Sequence, residues 1–178
     1  MSAKIAYALT AAFVLFVLPA ASATLSSSQV FAAGPAVDEI STEEVRGLLD
    51  QQRRAAAEAQ RADRQPPPAD FVLVDVRSET ETNIAIIPGA ITREQFEMDR
   101  EKYAGRTVIA YCAVGGRSTA YATKLANQGV QVKNYKGSML AWVTAEQPLV
   151  TLDGKPTTRV FHFSENHKIP AKYQQVSK

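Results

Sequence analysis

Cys112 is the chain's only cysteine, and the run Cys112-Ala113-Val114-Gly115-Gly116-Arg117 surrounds it with residues suited to holding an anion. An apolar strand candidate, Thr107 to Tyr111, leads into the run, and a helix candidate starting at Ser118 leaves it. A loop between a strand and a helix N-terminus turns backbone N–H groups inward, where the helix dipole adds partial positive charge. Gly115 and Gly116 permit tight winding that side chains would block. Arg117 adds a permanent cation. These surroundings predict a lowered thiol pKa at Cys112, and so a thiolate nucleophile near neutral pH. An inert buried cysteine is the competing reading, but Gly, Gly, Arg and Ser are poor neighbours for a core residue.

The spacing is C-x4-R, one residue shorter than the C-x5-R loop with which protein tyrosine phosphatases encircle a phosphoryl group. The shorter loop resembles that of the rhodanese family, and Cys112 to Ser118 is similar to the pattern of its thiosulfate-using branch. Phe71-Val72-Leu73-Val74-Asp75-Val76-Arg77 resembles the family's first signature, an apolar strand ending in Asp-x-Arg. Ile87-Pro88-Gly89-Ala90 matches the end of its Gly-His-Ile-Pro-Gly-Ala segment. Gly137-Ser138-Met139-Leu140-Ala141-Trp142 resembles the closing Gly-Gly-x-x-Ala-Trp element, with Ser138 in place of the second Gly. These elements, in the family's order, cover about residues 37–150. Ala85 and Ile86 depart from it, standing where the family has Gly and His; Glu81 is kept, and Thr82 replaces a frequent aromatic.

The resemblance implies a single-domain, rhodanese-like α/β fold with a small, mostly parallel sheet flanked by helices on both faces. It implies a sulfurtransferase that takes sulfane sulfur from thiosulfate or a related small anionic donor as a Cys112 persulfide. The sulfur then passes to a thiophilic acceptor: cyanide in vitro, a thiol or protein in vivo. Arg117 and the loop residues Ala113, Val114, Gly115, Gly116 and Ser118 are the expected donor-binding set. No cofactor and no metal are called for. Arg77 is a further candidate at the mouth of the pocket. Asp75 suits a structural role, bracing the loop by pairing with an arginine or accepting backbone N–H bonds, because a carboxylate beside a thiolate would oppose its ionisation. A different class stays open: a sulfur or redox carrier, or a binding module, that uses the same pocket without turnover. An arsenate reductase would need a second, resolving cysteine, which the chain lacks.

The elements that must position this loop are legible in outline. Ser41-Thr42-Glu43-Glu44 reads as a capping box, and Val45, Leu48 and Leu49 follow at helical spacing for a core-facing stripe. Residues 51–69 are rich in Ala, Arg, Gln and Glu and close on Pro66-Pro67-Pro68, which predicts an exposed helical and proline-rich insertion. Arg93 to Tyr103 predicts a short helix anchored by Phe96. Thr119 to Gln128 predicts another, Val130 to Tyr135 a strand, and Ser138 to Thr144 a last helix with Trp142 in a packing role. Strands alternating with helices favour a parallel sheet, with functional loops beyond the strands' carboxyl ends.

The two ends carry less. Lys4, the apolar stretch Ala11 to Leu18, Pro19 and Ala21-Ser22-Ala23 predict a signal peptide over 1–23, cleaved after Ala23. The apolar run is shorter than the ~20 residues of a spanning helix; an uncleaved anchor is the alternative. Cleavage predicts an exported, periplasmic protein with no stable membrane association, followed by a flexible leader over 24–36. In an oxidising compartment a lone thiol is either an intermolecular partner or a reactive site. The recessed loop favours the second, and a monomer. With 178 residues, 46% hydrophobic, the chain suits one domain. A net charge of +2, with cations scattered among acids, gives no case for nucleic acid. Residues 151–178 form a C-terminal extension: a turn over 151–156, a strand-like stretch over 158–163, and an end, 171–178, expected to fray. His162 and His167 read as surface histidines.

Overall fold

The structure is a computed structural model that describes residues 36–161 and 167–177. The predicted signal peptide, the leader up to residue 35, and His162 lie outside the described residues. The order of elements is β1 (Asp38–Glu39), α1 (Thr42–Arg61), β2 (Phe71–Asp75), α2 (Glu79–Thr82), β3 (Ile91–Thr92) and α3 (Arg93–Met98). A 3-10 turn (Arg100–Tyr103) leads to β4 (Thr107–Tyr111), α4 (Gly116–Asn127), β5 (Val132–Asn134) and α5 (Ser138–Thr144). Short strands β6 (Leu149–Val150), β7 (Pro156–Thr157), β8 (Arg159–Phe161) and β9 (Gln174–Val176) complete the chain.

The first five strands form one parallel sheet in the order β1-β5-β4-β2-β3. β2 and β4 lie side by side at its centre, with Asp75 level with Tyr111. Successive side chains on a strand point to opposite faces, and the two cores follow that alternation. Leu73, Ile109 and Tyr111 join one cluster with Val45 and Leu49 of α1 and Met139, Trp142 and Val143 of α5. Val72, Val74, Val76, Val108, Ala110 and Cys112 join the other, with Phe96 of α3 and Tyr121, Ala122 and Leu125 of α4. Both faces are therefore covered by helices, as a parallel sheet requires. Cys112 projects to the α3–α4 side, and Asp75 falls on the alternation of Leu73, the opposite side.

The capping box at α1 forms as the sequence predicts: Ser41 N–H donates to Glu44 Oε2 at 2.8 Å, and Glu44 N–H to Ser41 Oγ at 3.2 Å. α1 then runs unbroken through 20 residues, so the first half of the 51–69 stretch is a plain extension of this helix. It ends before Asp63, whose φ of +50° turns the chain back toward the prolines. Phe96 and Trp142 are both buried core residues, and the Trp142 indole N–H donates to Pro148 O at 2.8 Å.

The C-terminal end corrects the expectation of fraying. β9 pairs in parallel with β8, and Val160 and Tyr173 are buried in the same cluster as α1 and α5. The Tyr173 hydroxyl also donates to Gln147 O. Apolar burial outweighs end fraying here: Tyr173 is buried in the core, and Ile169 and Val176 pack against the same cluster.

Candidate active site

β4 ends at Tyr111 and α4 begins at Gly116, so the segment between them is a four-residue loop at the carboxyl edge of the sheet. Gly115 is the pivot. Its φ is +101°, and a Cβ there would stand 2.4 Å from Lys136 O, so only glycine fits. Gly116 corrects the expectation of two sterically required glycines: it lies inside the helix, and a Cβ there would meet nothing within 4 Å. The helix starts two residues earlier than Ser118, which carries Arg117 into its first turn.

The winding aims backbone donors at sulfur. Gly115 N–H donates to Cys112 Sγ at 3.1 Å. Burial is the strongest single influence on this thiol and opposes ionisation. Together the backbone N–H groups of Ser118, Gly115 and Val114 overcome it, holding the Cys112 pKa below its ordinary value. The cysteine is only 1% exposed, while Val114 at the loop tip is 52% exposed.

Neighbouring elements lock the loop from three directions. From α5, Met139 N–H donates to Cys112 O and Leu140 N–H to Ala113 O, both at 3.0 Å. Ser138 is left-handed at φ +54°, the backbone setting that explains a glycine in the resembled motif. Its hydroxyl accepts from Cys112 N–H at 3.1 Å and donates its one proton to Tyr135 O at 2.9 Å. From within α4, Ser118 Oγ and Thr119 Oγ1 both donate to Gly115 O, at 2.9 and 2.8 Å. From β5, Asn134 Nδ2 donates to Thr119 Oγ1 at 2.8 Å.

Arg117 points to a carboxylate. Its two terminal nitrogens donate to Glu81 Oε2 and Oε1 at 2.7 and 2.9 Å, and its side chain is 48% exposed. Glu81 also accepts from Ser78 N–H and Ser78 Oγ. Burial pushes its carboxyl up, but these partners prevail and hold the pKa at about 2. Glu81 was open to recognition as the fourth residue of a Ser78-x-x-Glu81 capping box; its pairing with Arg117 carries no signal in the sequence.

Arg77 corrects the expectation of a residue at the pocket mouth. It is 1% exposed, grips Asp75 through Nε and Nη2 at 2.9 and 2.6 Å, and donates to Ala85 O at 2.6 Å. The reason is parity: Asp75 and Arg77 lie on the odd face of β2 and its extension, whereas Val76 and Cys112 share the other. Asp75 also accepts from Arg77 N–H at 3.0 Å. Its carboxylate thus takes both arginine and backbone partners. Ala113, Val114, Gly115, Gly116, Arg117 and Ser118 all stay with the loop and the first turn of α4. Glu81, Thr119, Asn134 and the hydroxyl of Ser138 are the site residues that sequence reasoning did not assign.

A family model described as Rhodanese-like domain matches residues 55–145. No curated protein matches the chain. Solved structures with a similar fold include a Bacillus halodurans protein, 19% identical at a TM-score of 0.49, over 64% of this chain and 77% of that one. A thiosulfate sulfurtransferase from Pseudomonas aeruginosa is 24% identical at a TM-score of 0.48, over 67% of this chain; the match spans 21% of that chain. A rhodanese-like domain protein from Staphylococcus aureus is 25% identical at a TM-score of 0.44, over 60% of this chain and 91% of that one.

Proposed function

The chain belongs to the rhodanese-like family, and on that premise we propose that it is a sulfurtransferase working through a persulfide on Cys112. The observation that carries the reading is the Gly115 N–H donating to Cys112 Sγ at 3.1 Å, with the Ser118 and Val114 N–H groups also favouring the ionised thiol. Those donors favour a thiolate and, after loading, a persulfide anion, without any general base. In the first step the Cys112 thiolate attacks the outer sulfur of thiosulfate. A new S–S bond forms, the thiosulfate S–S bond breaks, and sulfite leaves with the electron pair. In the second step a thiolate or cyanide attacks the outer sulfur of the persulfide, and the Cys112 thiolate departs. The short C-x4-R loop supports a sulfur-sized anion over a phosphoryl group.

We further propose that export with cleavage after Ala23 delivers the protein to the periplasm, where its acceptor is a small thiol or a protein thiol. N-terminal sequencing of protein from an exporting bacterial host should begin at Thr24; retention of Lys4 in a membrane-bound chain would overturn it.

Two observations favour a second reading, a carrier or binding module without appreciable turnover: the cysteine is almost fully covered, and Arg117 is engaged with Glu81. The deciding experiment is intact mass before and after thiosulfate, together with thiosulfate–cyanide turnover. A gain of one sulfur atom that disappears with cyanide, absent in Cys112→Ser, supports the enzyme. Loading without turnover supports the carrier. Turnover retained in Cys112→Ser would sink both.

A further inference from the structure

Asn134 ends β5, one strand away from the cysteine, and is buried. Its backbone is fixed in the sheet, the carbonyl accepting from Ile40 N–H at 3.1 Å and Lys136 N–H at 3.0 Å. Its side-chain amide starts an ordered series of contacts. Nδ2 donates to Thr119 Oγ1 at 2.8 Å, Thr119 Oγ1 donates to Gly115 O at 2.8 Å, and Gly115 N–H donates to Cys112 Sγ at 3.1 Å. The direction of the series is fixed by proton count. A threonine hydroxyl has one proton, here given to Gly115 O, so it can only accept from Asn134.

The other half of the amide is unexplained by stability. Asn134 Oδ1 is buried with no hydrogen-bond partner, an arrangement that costs free energy and is uncommon in native proteins. An apolar residue would avoid that cost, yet it would leave Thr119 without its donor. We propose that Asn134 is a positioning residue for Cys112, acting through Thr119 to hold Gly115 against the sulfur. Gly115 has no side chain and a left-handed φ, so its orientation depends on what grips its carbonyl. Ser118 Oγ grips the same oxygen at 2.9 Å and the Thr119 backbone N–H at 3.0 Å; the Asn134–Thr119 side-chain pair adds a third grip, anchored in the sheet rather than in the loop's own helix.

The inference takes its catalytic meaning from the reading of Cys112 as nucleophile, but its test needs no sulfur donor. Thiolate absorbance against pH gives the titration midpoint of Cys112, and iodoacetamide alkylation rates check it. The chain has one thiol, so both signals are unambiguous. The charged groups around this end of the sheet include the Arg117–Glu81 pair from α4 and α2, the Arg77–Asp75 pair on the far face of β2 and the Lys136–Glu39 pair, whose lysine stands against Gly115; the variants below leave all six unchanged. Thr119→Val keeps the shape at an exposed position and removes the relay, and thermal unfolding checks that the variant stays folded. Thr119→Val and Asn134→Ala are each expected to raise the midpoint by about half a pH unit, the scale of one weakened hydrogen bond to an ion. Thr119→Ser, which keeps a hydroxyl, should titrate as the parent chain does. The double variant should be shifted no further than Thr119→Val alone, since both act through one contact. An unchanged midpoint in Thr119→Val, or shifts that simply add in the double variant, would overturn the proposal. Absence of persulfide loading alongside the expected shifts would instead count only against the sulfurtransferase reading.

Discussion

Glu81 and Arg117, 36 residues apart, meet in a two-bond carboxylate–guanidinium pair that ties α2 to the first turn of α4 beside the cysteine loop. The arginine that the C-x4-R spacing offers to a substrate is thus held by the protein itself. Ionisation of Cys112 rests chiefly on backbone N–H groups, with Arg117 as the outer wall.

This pair sets a pH dependence. Glu81 has a folded pKa of about 2 against an ordinary 4.5. Its contribution is therefore complete above the ordinary value and lost as pH falls through the folded one. For a buried carboxylate with a half-exposed partner we expect about 1–3 kcal/mol. Glu81→Gln should flatten the fall in stability between about pH 5 and pH 2, measured by urea unfolding across that range. Arg117→Ala should do the same, and the double variant should lose little more than either single one. A curve as steep as that of the parent chain would show that the pair contributes nothing.

The two loop glycines should separate cleanly. Gly115→Ala meets both a φ of +101° and the Lys136 carbonyl; it should cost at least about 1–3 kcal/mol and raise the thiol midpoint by displacing the Gly115 N–H. Gly116→Ala has open space at a helical position, where alanine is favoured by about 0.4–1 kcal/mol. Thermal unfolding and thiolate absorbance of the two variants check both statements. Equal effects from the two substitutions would mean that the loop does not pivot at Gly115.

Breaking the Asp75–Arg77 pair should damage the fold and spare the thiol. Both side chains are buried, so Arg77→Met leaves a buried carboxylate without its partner, at a cost of about 3–5 kcal/mol. Replacing both, as Asp75→Leu with Arg77→Met, should recover most of that loss. Because the pair sits across the sheet from Cys112, the thiol midpoint of the folded double variant should match that of the parent chain. A large shift would place Arg77 in the chemistry after all.

The strands, the capping box of α1 and the cysteine loop were legible because each is written in consecutive residues. The alternation of Val72, Val74 and Val76 with Leu73 and Asp75 already implies two faces, and the run from Cys112 to Arg117 already implies inward N–H groups. Register was not legible. Only the pairing of β2 with β4, Asp75 level with Tyr111, puts Val76 beside Cys112 and sends Arg77 to the far core. The same holds for Glu81 on Arg117, for Asn134 behind Thr119, and for Tyr173 at 7% exposure in a tail expected to fray. The sequence by itself determined a nucleophile in an anion-holding turn, because backbone geometry and local charge act over a few residues. Tertiary structure alone decided which side chains steady that turn and which one occupies its arginine, because those partners are far apart in the chain and meet only when the sheet fixes their faces.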